Sequence, residues 1–364
     1  MLRAILVSAA LLGASIPALA CTAVDIMAAD KTVVAGRTME WAFDMKWTLT
    51  SIPKGTKLTL PAPKGMAVNE VETLYSVVGV TSALIPGGPL VEGQNSAGLG
   101  MSGNFLPGFT QYQTVAPQDK AYVEILSFGA WALGRFDTVK DLRAALQETK
   151  VWSDPDLPTG PTPPYLHFVF TDRSGDGIIV EYVDGQAQIH DNVAHVLTNA
   201  PTYGWHLDNV RNYLSLSTVG VGSRQIGTAN VTALGQGGGL IGLPGDYTPP
   251  SRFVRAAFLR HGVPEPQTGD EASETVAHVL NTVDIPIGVA QSKEPDGSLI
   301  SDYTQWVSIK DLTHNRLRIA DYNHRLNYLT IDLDPIFAQT RPTSRLVNDL
   351  PFPKPVSGAE VLAP

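Results

Sequence analysis

Cysteine is nearly absent from this sequence, because only Cys21 occurs among its 364 residues. A lone cysteine cannot form an intramolecular disulfide, so a disulfide-stabilised scaffold is excluded. In a chain that leaves the reducing cytoplasm, an unpaired thiol is open to oxidation and is a liability. The presence of this one thiol therefore needs an explanation.

The chain also lacks a basic run and a second long apolar stretch. Its formal net charge is −9 at pH 7, so nucleic acids and anionic membrane surfaces are not expected partners. Beyond the amino-terminal leader, no stretch reaches the roughly 18 apolar residues of a membrane-spanning helix. No internal repeat or break in composition divides the chain. We therefore predict one domain over residues 21–350, followed by a proline-rich tail over residues 351–364.

Two short motifs resemble cofactor or metal sites but lack the surroundings that such sites need. Residues 237–242 match a dinucleotide-binding fingerprint, yet no predicted strand leads into them and Pro244-Gly245 follows in place of a helix. The Asp and Gly residues of segment 172–177 resemble a calcium loop, but the later acidic ligand is missing, and a hairpin turn is the better interpretation. We expect no cofactor and no metal.

The first twenty residues have the pattern of an export signal. Arg3 gives a short positive start, and residues 4–16 form an apolar core that is too short to span a bilayer. The tripeptide Ala18-Leu19-Ala20 is of the small-x-small kind that signal peptidase cuts behind. We predict that residues 1–20 are a cleaved signal peptide and that the mature protein is periplasmic or secreted.

Cleavage after Ala20 would make Cys21 the first residue, with a free α-amine beside its thiol. An α-amine has a pKa of about 7.7–8.0, close enough to neutrality for it to act as a base. The thiol can then attack a carbonyl while the amine takes and returns the proton. An amino-terminal nucleophile activated by its own amine is an established covalent-catalysis arrangement.

Two other interpretations of Cys21 stay open at this point. A single cysteine is often only a small buried hydrophobic residue. It can also be the acylated cysteine of a lipoprotein, although that signal wants Leu three residues before the cysteine. Here that position is Ala18, and Leu19 comes one residue too late.

Strand-like alternation dominates both ends of the chain, and helical periodicity is confined to central blocks. Residues 22–28 and 33–41 are predicted to form a hairpin whose first strand begins at the thiol. A glycine-rich loop is predicted over residues 217–245. Three- and four-residue apolar spacing predicts helices over 122–133, 139–146, 203–216, 251–261 and 271–283. This order predicts an α+β fold in which two antiparallel sheets pack together with helices outside.

An amino-terminal thiol needs a charge beside it, a holder for its amine and donors for an oxyanion. Arg37 and Glu40 lie at the end of the second hairpin strand that is predicted to be near the thiol, and a nearby Arg makes a thiol more reactive. Asn104 and Asn199 stand at predicted strand ends, where amides can donate to an oxyanion. Arg252 follows a Pro-Pro helix start. The alternatives are an exposed ion pair and ordinary turn residues.

At these residues the sequence resembles the choloylglycine hydrolases, the amino-terminal nucleophile (Ntn) hydrolases that include bile salt hydrolases and penicillin V acylases. The resemblance covers nearly all the mature chain and weakens over residues 303–322. It rests on five motifs in series: Cys21-Thr22, Gly36-Arg37-Thr38-Met39-Glu40-Trp41, residues 95–108, Leu197-Thr198-Asn199-Ala200-Pro201, and Gly242-Leu243-Pro244-Gly245-Asp246-Tyr247 with Ser251-Arg252-Phe253.

The resemblance implies a four-layer αββα sandwich with Cys21 as nucleophile and base and Arg37 beside its thiol. Glu40 falls where the family usually has the Asp that holds the amine. Asn199 falls on an oxyanion residue, and Arg252 falls on the active-site Arg of the Ser-Arg-Phe motif. The second oxyanion residue is assigned to Asn104, although alignment on Pro107-Gly108 would place Phe105 there.

The resemblance further implies a hydrolase of non-peptide linear amide bonds. Exported members from Gram-negative bacteria cleave penicillin V and long-chain N-acyl homoserine lactones more readily than bile salts, so such a small N-acyl compound is the expected substrate and a conjugated bile salt is the alternative. A lipid-anchored binding protein with an acylated Cys21 is the alternative from another class. A homotetramer is implied by resemblance. Predicted acyl-binding residues are Phe43, Trp47, Phe105 and Tyr203.

Overall fold

The computed structural model describes residues 20–85, 87–156, 164–294 and 296–361. The hairpin predicted at the start of the mature chain is confirmed. Strands β1 (Cys21–Met27) and β2 (Val33–Trp41) pair antiparallel, and Cys21 lies opposite Met39. Lys31, in the turn between them, has a left-handed φ of 71°. Most of the predicted signal peptide lies outside the described residues, and only Ala20 lies within them.

The remaining strands continue the antiparallel pattern through most of the chain. In chain order they are β3 (Trp47–Ile52), β4 (Lys57–Leu60), β5 (Asn69–Glu72), β6 (Val77–Ser82), β7 (Glu92–Asn95), β8 (Gly100–Phe105), β9 (Tyr122–Glu124), β10 (Lys150–Trp152), β11 (Leu166–Thr171), β12 (Gly177–Val183), β13 (Gln186–Asp191), β14 (Val196–Leu197), β15 (Ser223–Ile226), β16 (Ala229–Thr232), β17 (Ala290–Lys293), β18 (Leu299–Asp311), β19 (Arg316–Asp321), β20 (Leu329–Asp332) and β21 (Ser344–Leu346).

Two large antiparallel sheets form the centre of the molecule. The first has the order β14-β1-β2-β18-β19-β20, with β17 paired to β18. The second has the order β13-β12-β11-β8-β7-β6-β3-β21. Three small two-stranded pairs, β4-β5, β9-β10 and β15-β16, complete the described strands. The thiol therefore begins a central strand of the first sheet.

Helices cover the outer face of each sheet. Helices α4 and α5 pack on β1, β2 and β18, whereas α1 packs on β6 to β8 and α2 on β12 and β13. This arrangement confirms the predicted α+β fold and its four αββα layers. The helices are α1 (Ile125–Arg135), α2 (Val139–Glu148), α3 (Tyr203–Val210), α4 (Pro249–Gly262), α5 (Gly269–Asn281), α6 (Asp334–Phe337) and α7 (Gly358–Val361), and short 3-10 turns lie at Arg211–Tyr213, Gly238–Leu240 and Val347–Asp349.

Local sequence accounts for where the helices of the outer layers begin. Thr138 caps α2 by accepting the backbone N–H of Asp141, and Thr268 caps α5 in the same way. Pro249 and Pro250 occupy the first turn of α4, where proline costs no hydrogen bond. The start of α4 is thereby fixed beside β1, and this matters because Arg252 lies in its first turn.

Alternation along β2 decides which side chains meet the thiol. Arg37 and Met39 line a cavity between the two sheets, together with Cys21. Gly36 faces the helices, because a Cβ built there would lie 2.5 Å from Val276 Cγ1 of α5. Since side chains two residues apart share a face, Glu40 points to the helix side of the sheet. The predicted site residues are therefore divided between two faces of one sheet.

Three expectations about secondary structure are wrong. The apolar run 122–133 begins with strand β9 rather than with a helix, because residues 122–124 pair in parallel with β10. The helix predicted over 203–216 ends at Val210 and continues only as a 3-10 turn. Segment 217–245 contains an exposed hairpin, β15-β16, within the predicted loop. Each difference depends on pairing or packing that local periodicity does not report.

The first residues of the carboxyl-terminal tail contact the domain. Phe352 is buried and stacks on His324 with ring centroids 4.3 Å apart. Residues 351–357 have no regular structure, and α7 forms one short turn after them. Of the helices that the structure describes, none is long and apolar enough to cross a membrane.

Candidate active site

The sulfur of Cys21 lies against a buried arginine. Arg37 Nη2 is 3.0 Å from Cys21 Sγ, and both residues are at most 2% exposed. The guanidinium is held from other sides, because Nη1 donates to Val91 O at 2.6 Å and Cζ lies 5.2 Å from the centroid of the Trp306 ring. A guanidinium stays charged in proteins, so a positive charge lies directly beside the sulfur.

The nitrogen of Cys21 is held on the other side by Asn199. It donates to Asn199 Oδ1 at 2.6 Å, and the same oxygen accepts from Arg252 Nη2 at 2.7 Å. Two donors on one atom identify that atom as the oxygen, so the orientation of the amide is fixed. The opposite end, Asn199 Nδ2, donates to Phe105 O at 2.9 Å. Action as an oxyanion donor, as predicted, would require Nδ2 to leave that carbonyl.

Arg252 anchors the backbone around the thiol. Its Nη1 donates to Cys21 O at 2.6 Å and to Thr22 Oγ1 at 2.7 Å, and its Nε donates to Tyr247 O at 2.9 Å. Burial lowers the pKa of Arg252, and the charge of Glu40 opposes that shift. Within the described chain these hydrogen bonds all go to oxygen atoms, so Arg252 holds the geometry of the first two residues of β1.

Glu40 is fully buried near the start of β1, on the helix face of the sheet. Its Oε1 accepts from Thr304 Oγ1 at 2.7 Å, whereas Oε2 has no hydrogen-bond partner among the residues described. Burial raises its pKa to about 7, against the lowering effect of Arg252. An unpartnered buried carboxylate oxygen is costly. The structure contains no Cys21–Glu40 hydrogen bond in its described part, and the predicted role in holding the amine stays a prediction.

Asn104 supports the Asn199 segment from behind. Its Nδ2 donates to Leu197 O at 3.2 Å and to Thr198 O at 2.9 Å. His167 adds a contact to the same Thr198 carbonyl at 3.0 Å. The amide of Asn104 is therefore already engaged one residue before Asn199, and its predicted role as an oxyanion donor would require it to change partners.

Two buried histidines near Asn199 were missed by the sequence analysis. His167 bridges Thr198 O and Glu181 Oε1, at 3.0 and 2.9 Å. His206 contacts Asn199 O at 2.8 Å, and burial lowers its pKa to about 4. His167 and Glu181 lie on adjacent strands joined by the predicted turn over 172–177. The register of that hairpin would have placed the two side chains opposite each other. His206 is on a helix and gave no such signal.

An apolar cavity of about 360 Å³ opens onto the sulfur of Cys21. This volume lies within the usual range for small-molecule sites. Three of the four predicted acyl-binding residues line it: Phe43, Trp47 and Phe105. The loops over 43–47 and 82–90, expected from the sequence to build the pocket, contribute further lining residues, and the described lining also includes Met39, Trp41, Val91, Pro164 and Leu166.

The prediction that Tyr203 binds substrate is wrong. Its side chain is fully buried in the core beneath α4, and it does not line the cavity. Its hydroxyl accepts the backbone N–H of Ala194 at 3.0 Å, and its ring meets Phe253 edge-on at 6.1 Å. An aromatic residue in the core and one in a binding pocket look alike in a sequence.

Ala20 is still joined to Cys21 in the chain that the structure describes. It is 4% exposed, and its carbonyl accepts the backbone N–H of Glu40 at 3.1 Å. With that peptide bond intact, the Cys21 nitrogen is an amide and has no basic lone pair. Cleavage at this bond is needed before the nitrogen can act as a base. Within the described residues, no group of three or more His, Cys, Asp or Glu side chains is arranged to hold a metal.

An αββα sandwich whose central strand begins with a buried thiol, facing an apolar cavity, is the arrangement of the Ntn hydrolase class. The family model of the linear amide C-N hydrolases, choloylglycine hydrolase family, matches residues 21–335. The chain belongs to this family of linear amide hydrolases.

Individual relatives agree with this assignment. A bile salt hydrolase/transferase of Clostridium perfringens is 31% identical over 290 residues, which are 79% of this chain and 85% of that protein. A penicillin V acylase of Pectobacterium atrosepticum is 26% identical over 237 residues, covering 62% of this chain and 55% of that protein. A crystal structure of a conjugated bile acid hydrolase variant from Clostridium perfringens superposes with a TM-score of 0.78 at 28% identity, covering 90% of this chain and 97% of that one.

Proposed function

We propose that the mature protein hydrolyses a small N-acyl compound, with Cys21 as nucleophile and its α-amine as base. The observation that carries this proposal is the position of Cys21 Sγ, which lies 3.0 Å from Arg37 Nη2 and opens onto the apolar cavity. Reactive cysteines lie in electropositive surroundings that a reactant can reach, and the cavity gives that access to the sulfur of Cys21. The cavity then receives the acyl group.

The reaction proceeds through a thioester. The α-amine takes the thiol proton, and the thiolate attacks the acyl carbon, so that a C–S bond forms and the carbonyl π pair moves to oxygen. When that pair returns, the C–N bond breaks and the leaving amine takes the proton from the α-ammonium. Water, deprotonated by the α-amine, then attacks the thioester carbon, and the C–S bond breaks to release a carboxylic acid. The departing thiolate takes the proton back from the α-ammonium, which restores the thiol and the free amine.

Two acceptors support the idea that the free amine is held in place. Asn199 Oδ1 already accepts a hydrogen from the Cys21 nitrogen. Glu40 has an unpartnered Oε2 in the described chain, and its backbone N–H contacts the Ala20 carbonyl that cleavage removes. A carboxylate beside an ammonium forms a charge-assisted hydrogen bond, about twice as strong as a neutral one. Glu40 thus replaces the Asp of the family.

The cavity lining favours an aromatic or aliphatic acyl group. Among the described lining residues, Ser82 carries a hydroxyl that donates to Met45 O, and Trp41 carries a buried indole N–H that has no partner in this part of the chain. We therefore propose phenoxyacetyl amides such as penicillin V, or N-acyl homoserine lactones, as substrates. A bile acid carries several hydroxyl groups, and this lining offers few hydrogen-bond partners to replace the water that they would lose. Conjugated bile salts stay the second candidate, because a relative 31% identical is named a bile salt hydrolase/transferase.

One hydrolysis panel tests the proposal. Purified mature protein is incubated with penicillin V, an N-acyl homoserine lactone and glycocholate, and release of the free amine is measured. The Cys21→Ser variant serves as the inactive control, and Tyr203→Phe as the matched control outside the cavity. We expect cleavage of at least one of the first two substrates, with kcat/KM above that for glycocholate. No cleavage of any of the three would contradict the proposed function, and preference for glycocholate would favour the second candidate.

The geometry also weighs against a lipid anchor at Cys21. The thiol is 2% exposed and bonded to Arg37 inside the molecule, whereas a thioether-linked lipid must emerge at the surface. Intact mass of the mature protein separates the two possibilities. A mass that begins at an unmodified Cys21 supports the enzyme, and added acyl mass supports the anchor.

Export and self-association belong to the same proposal. The periplasmic or secreted location rests on the leader sequence and on the need to free the Cys21 amine. Association as a homotetramer is supported by the isolated hairpin β15-β16 and its loop, where Ile226, Leu234 and Ile241 are all more than 60% exposed. A lone two-stranded hairpin is marginally stable in water, so a second copy is the expected cover. Light scattering that finds a monomer would contradict this part.

A further inference from the structure

A buried lysine and a buried glutamate join the two sheets behind Arg37. Lys310, on β18 of the first sheet, forms an ion pair with Glu92 Oε1, on β7 of the second, and both side chains are 2% exposed. Lys310 Nζ also donates to Met101 O at 3.0 Å and lies 3.3 Å from Ser102 Oγ. Within the described chain, the hydrogen bonds of this ammonium group all go to the second sheet.

The same glutamate faces the arginine that touches the thiol. Glu92 Oε2 lies 3.9 Å from Arg37 Nη1, and it has no hydrogen-bond partner in the described part of the chain. Arg37 Nη2 in turn lies 3.0 Å from Cys21 Sγ. When the thiol is ionised, four groups in contact therefore alternate in charge: Lys310 positive, Glu92 negative, Arg37 positive and Cys21 negative.

The need for close packing does not explain this row of four groups with alternating charge. Burying charges is costly, and a buried ion pair can be replaced by well-packed apolar residues without loss of stability. Burial lowers the pKa of Lys310, which Glu92 opposes and the charge of Arg37 reinforces. Ser308, opposite Arg37 on the neighbouring strand, also has a buried hydroxyl with no partner among the described residues. Charged and polar side chains thus fill the interior behind the thiol, where apolar side chains could supply the packing of the two sheets.

We propose that Glu92 and Lys310 are positioning residues that act on Cys21 through Arg37. Glu92 attracts the guanidinium from behind and keeps Nη2 directed at the sulfur. Lys310 balances the charge of Glu92, so that the thiolate interacts with the full positive charge of Arg37. This inference rests on the proposed function in one respect, because it takes the Cys21 thiolate as the reacting group.

The two residues should have opposite effects on the ionisation of the thiol. Replacing Lys310 with a neutral residue leaves Glu92 to neutralise Arg37, so the thiolate becomes less favoured. Replacing Glu92 with a neutral residue leaves Lys310 and Arg37 as two cations, so the thiolate becomes more favoured. The other charged groups near the start of β1 are Arg252, Glu40 and Asp302, which interacts with Arg252, and they are unchanged in both variants.

Alkylation of the single cysteine measures this directly. Because the chain has one cysteine, the rate of iodoacetamide addition to the purified mature protein, read by intact mass across pH, reports on Cys21 alone. It requires no substrate and no turnover. The set comprises wild type, Lys310→Met, Glu92→Gln, the charge-conserving Lys310→Arg and the double variant.

We expect the midpoint of the alkylation profile to rise by about one pH unit in Lys310→Met, the lower end of the effect of a neighbouring charge, and to fall in Glu92→Gln. Lys310→Arg should stay near the wild-type midpoint. The matched control is Asp311→Asn, which removes a buried carboxylate next to Lys310 whose hydrogen bonds go to Thr313 and His314. Its midpoint should equal that of wild type.

Shifts in the same direction for Lys310→Met and Glu92→Gln, or no shift in either, would overturn the proposal. If a single variant fails to fold in thermal melting, the double variant decides alone, since it removes the row without leaving an unpaired charge. There we expect kcat to fall at least about threefold with KM little changed, because Arg37 is no longer held. A folded double variant with wild-type midpoint and kcat would contradict the positioning role.

The outcomes separate this inference from the proposed function. Opposite midpoint shifts in a protein that cleaves none of the amides would leave the positioning role standing and the proposed function refuted. Cleavage of an amide with identical midpoints in all variants would leave the function standing and the positioning role refuted.

Discussion

The nitrogen and the sulfur of Cys21 have different surroundings. On the nitrogen side the surroundings are polar, and Asn199, Arg252 and Glu40 lie around the backbone of the residue. On the sulfur side, Arg37 faces a cavity whose lining, as far as the structure describes it, is otherwise almost wholly apolar. Polar contacts therefore fix the residue in place, and an apolar space is left for the group on which it acts.

Two buried arginines show this difference most clearly. Arg252 directs its nitrogens to oxygen atoms of the backbone and of Thr22 and Asn199. Arg37 also uses backbone carbonyls but keeps one nitrogen on the sulfur. The same residue type thus anchors the backbone on one side of Cys21 and contacts the sulfur on the other. Variants that break one side and leave the other intact test this division.

The largest effect is expected at the sulfur itself. Cys21→Ser should reduce kcat/KM roughly a thousandfold or more, because a hydroxyl is a far weaker nucleophile at neutral pH. The nearly isosteric change should leave the melting temperature close to wild type. Amide release and thermal melting measure the two quantities, and a Ser variant of near wild-type activity would refute the mechanism.

The arginine comparison comes next. Arg252→Met should lower both turnover and stability, since each buried acceptor left unpaired costs about 1–3 kcal/mol. Arg37→Met should lower kcat/KM about ten- to hundredfold, because a hydrogen bond to a charged group contributes about 1.5–3 kcal/mol and about 1.4 kcal/mol corresponds to tenfold. It should also move the acid limb of the pH–rate profile to higher pH.

Urea unfolding and kinetics of the two arginine variants give the test. Equal losses of stability in both would remove the distinction between an anchoring and a reacting side. A wild-type pH–rate profile for Arg37→Met would show that the guanidinium does not act on the sulfur.

Glu40 tests the nitrogen side of the site, where it is proposed to hold the free amine. In mature protein, Glu40→Gln should reduce kcat/KM about ten- to hundredfold, because a neutral amide holds the amine less strongly than a carboxylate does. Glu40→Asp should be tolerated, since the family usually has Asp there. Steady-state kinetics of the two variants measure this, and Gln and Asp variants of equal activity would contradict it.

The stability of the chain that retains Ala20 should respond to the same residue with a defined sign. Burial raises the pKa of Glu40 from 4.5 to about 7, so between these values the folded state holds a proton that the unfolded state has lost. This group therefore makes stability fall as pH rises from about 4.5 to 7, by about 3 kcal/mol. Relative to wild type, Glu40→Gln should gain that amount across the window in urea unfolding, whereas a constant difference would contradict the assignment.

The smallest effect is expected in the cavity. Phe43 lines it with 58% of its surface exposed, so Phe43→Ala should raise KM for an apolar acyl substrate about tenfold, equivalent to about 1.4 kcal/mol of lost contact, with little change in kcat. Tyr203→Phe is the matched aromatic control in the core. It should lose about 1 kcal/mol of stability through the Ala194 hydrogen bond and leave KM unchanged. Equal KM values in both variants would contradict the assignment of the cavity.

The start of the site was predictable because its geometry is local. Alternation in residues 22–28 and 33–41 predicts a hairpin, and a hairpin of that length brings Arg37 back to the thiol. The layers followed from the order of strands and helices. Asn199 and Arg252 required the family resemblance, because 178 and 231 residues of sequence separate them from Cys21.

Other parts of the site had no local signal. Lys310 and Glu92 are 218 residues apart, and surface exposure is the ordinary expectation for a lysine or a glutamate. Tyr203 was wrongly assigned to the cavity, since the aromatic composition of a core and that of a pocket are alike. Residues 122–124 form a strand rather than a helix because their partner, β10, comes 28 residues later in the chain.

The central claim is that Cys21, freed of the leader, is the nucleophile. The most direct measurement is the intact mass of active mature protein, quenched with acid during turnover of penicillin V and then digested to locate any acyl group. We predict a chain that begins at Cys21 and carries the phenoxyacetyl group on its sulfur. An active chain that begins at another residue, or one acylated elsewhere, would contradict the account.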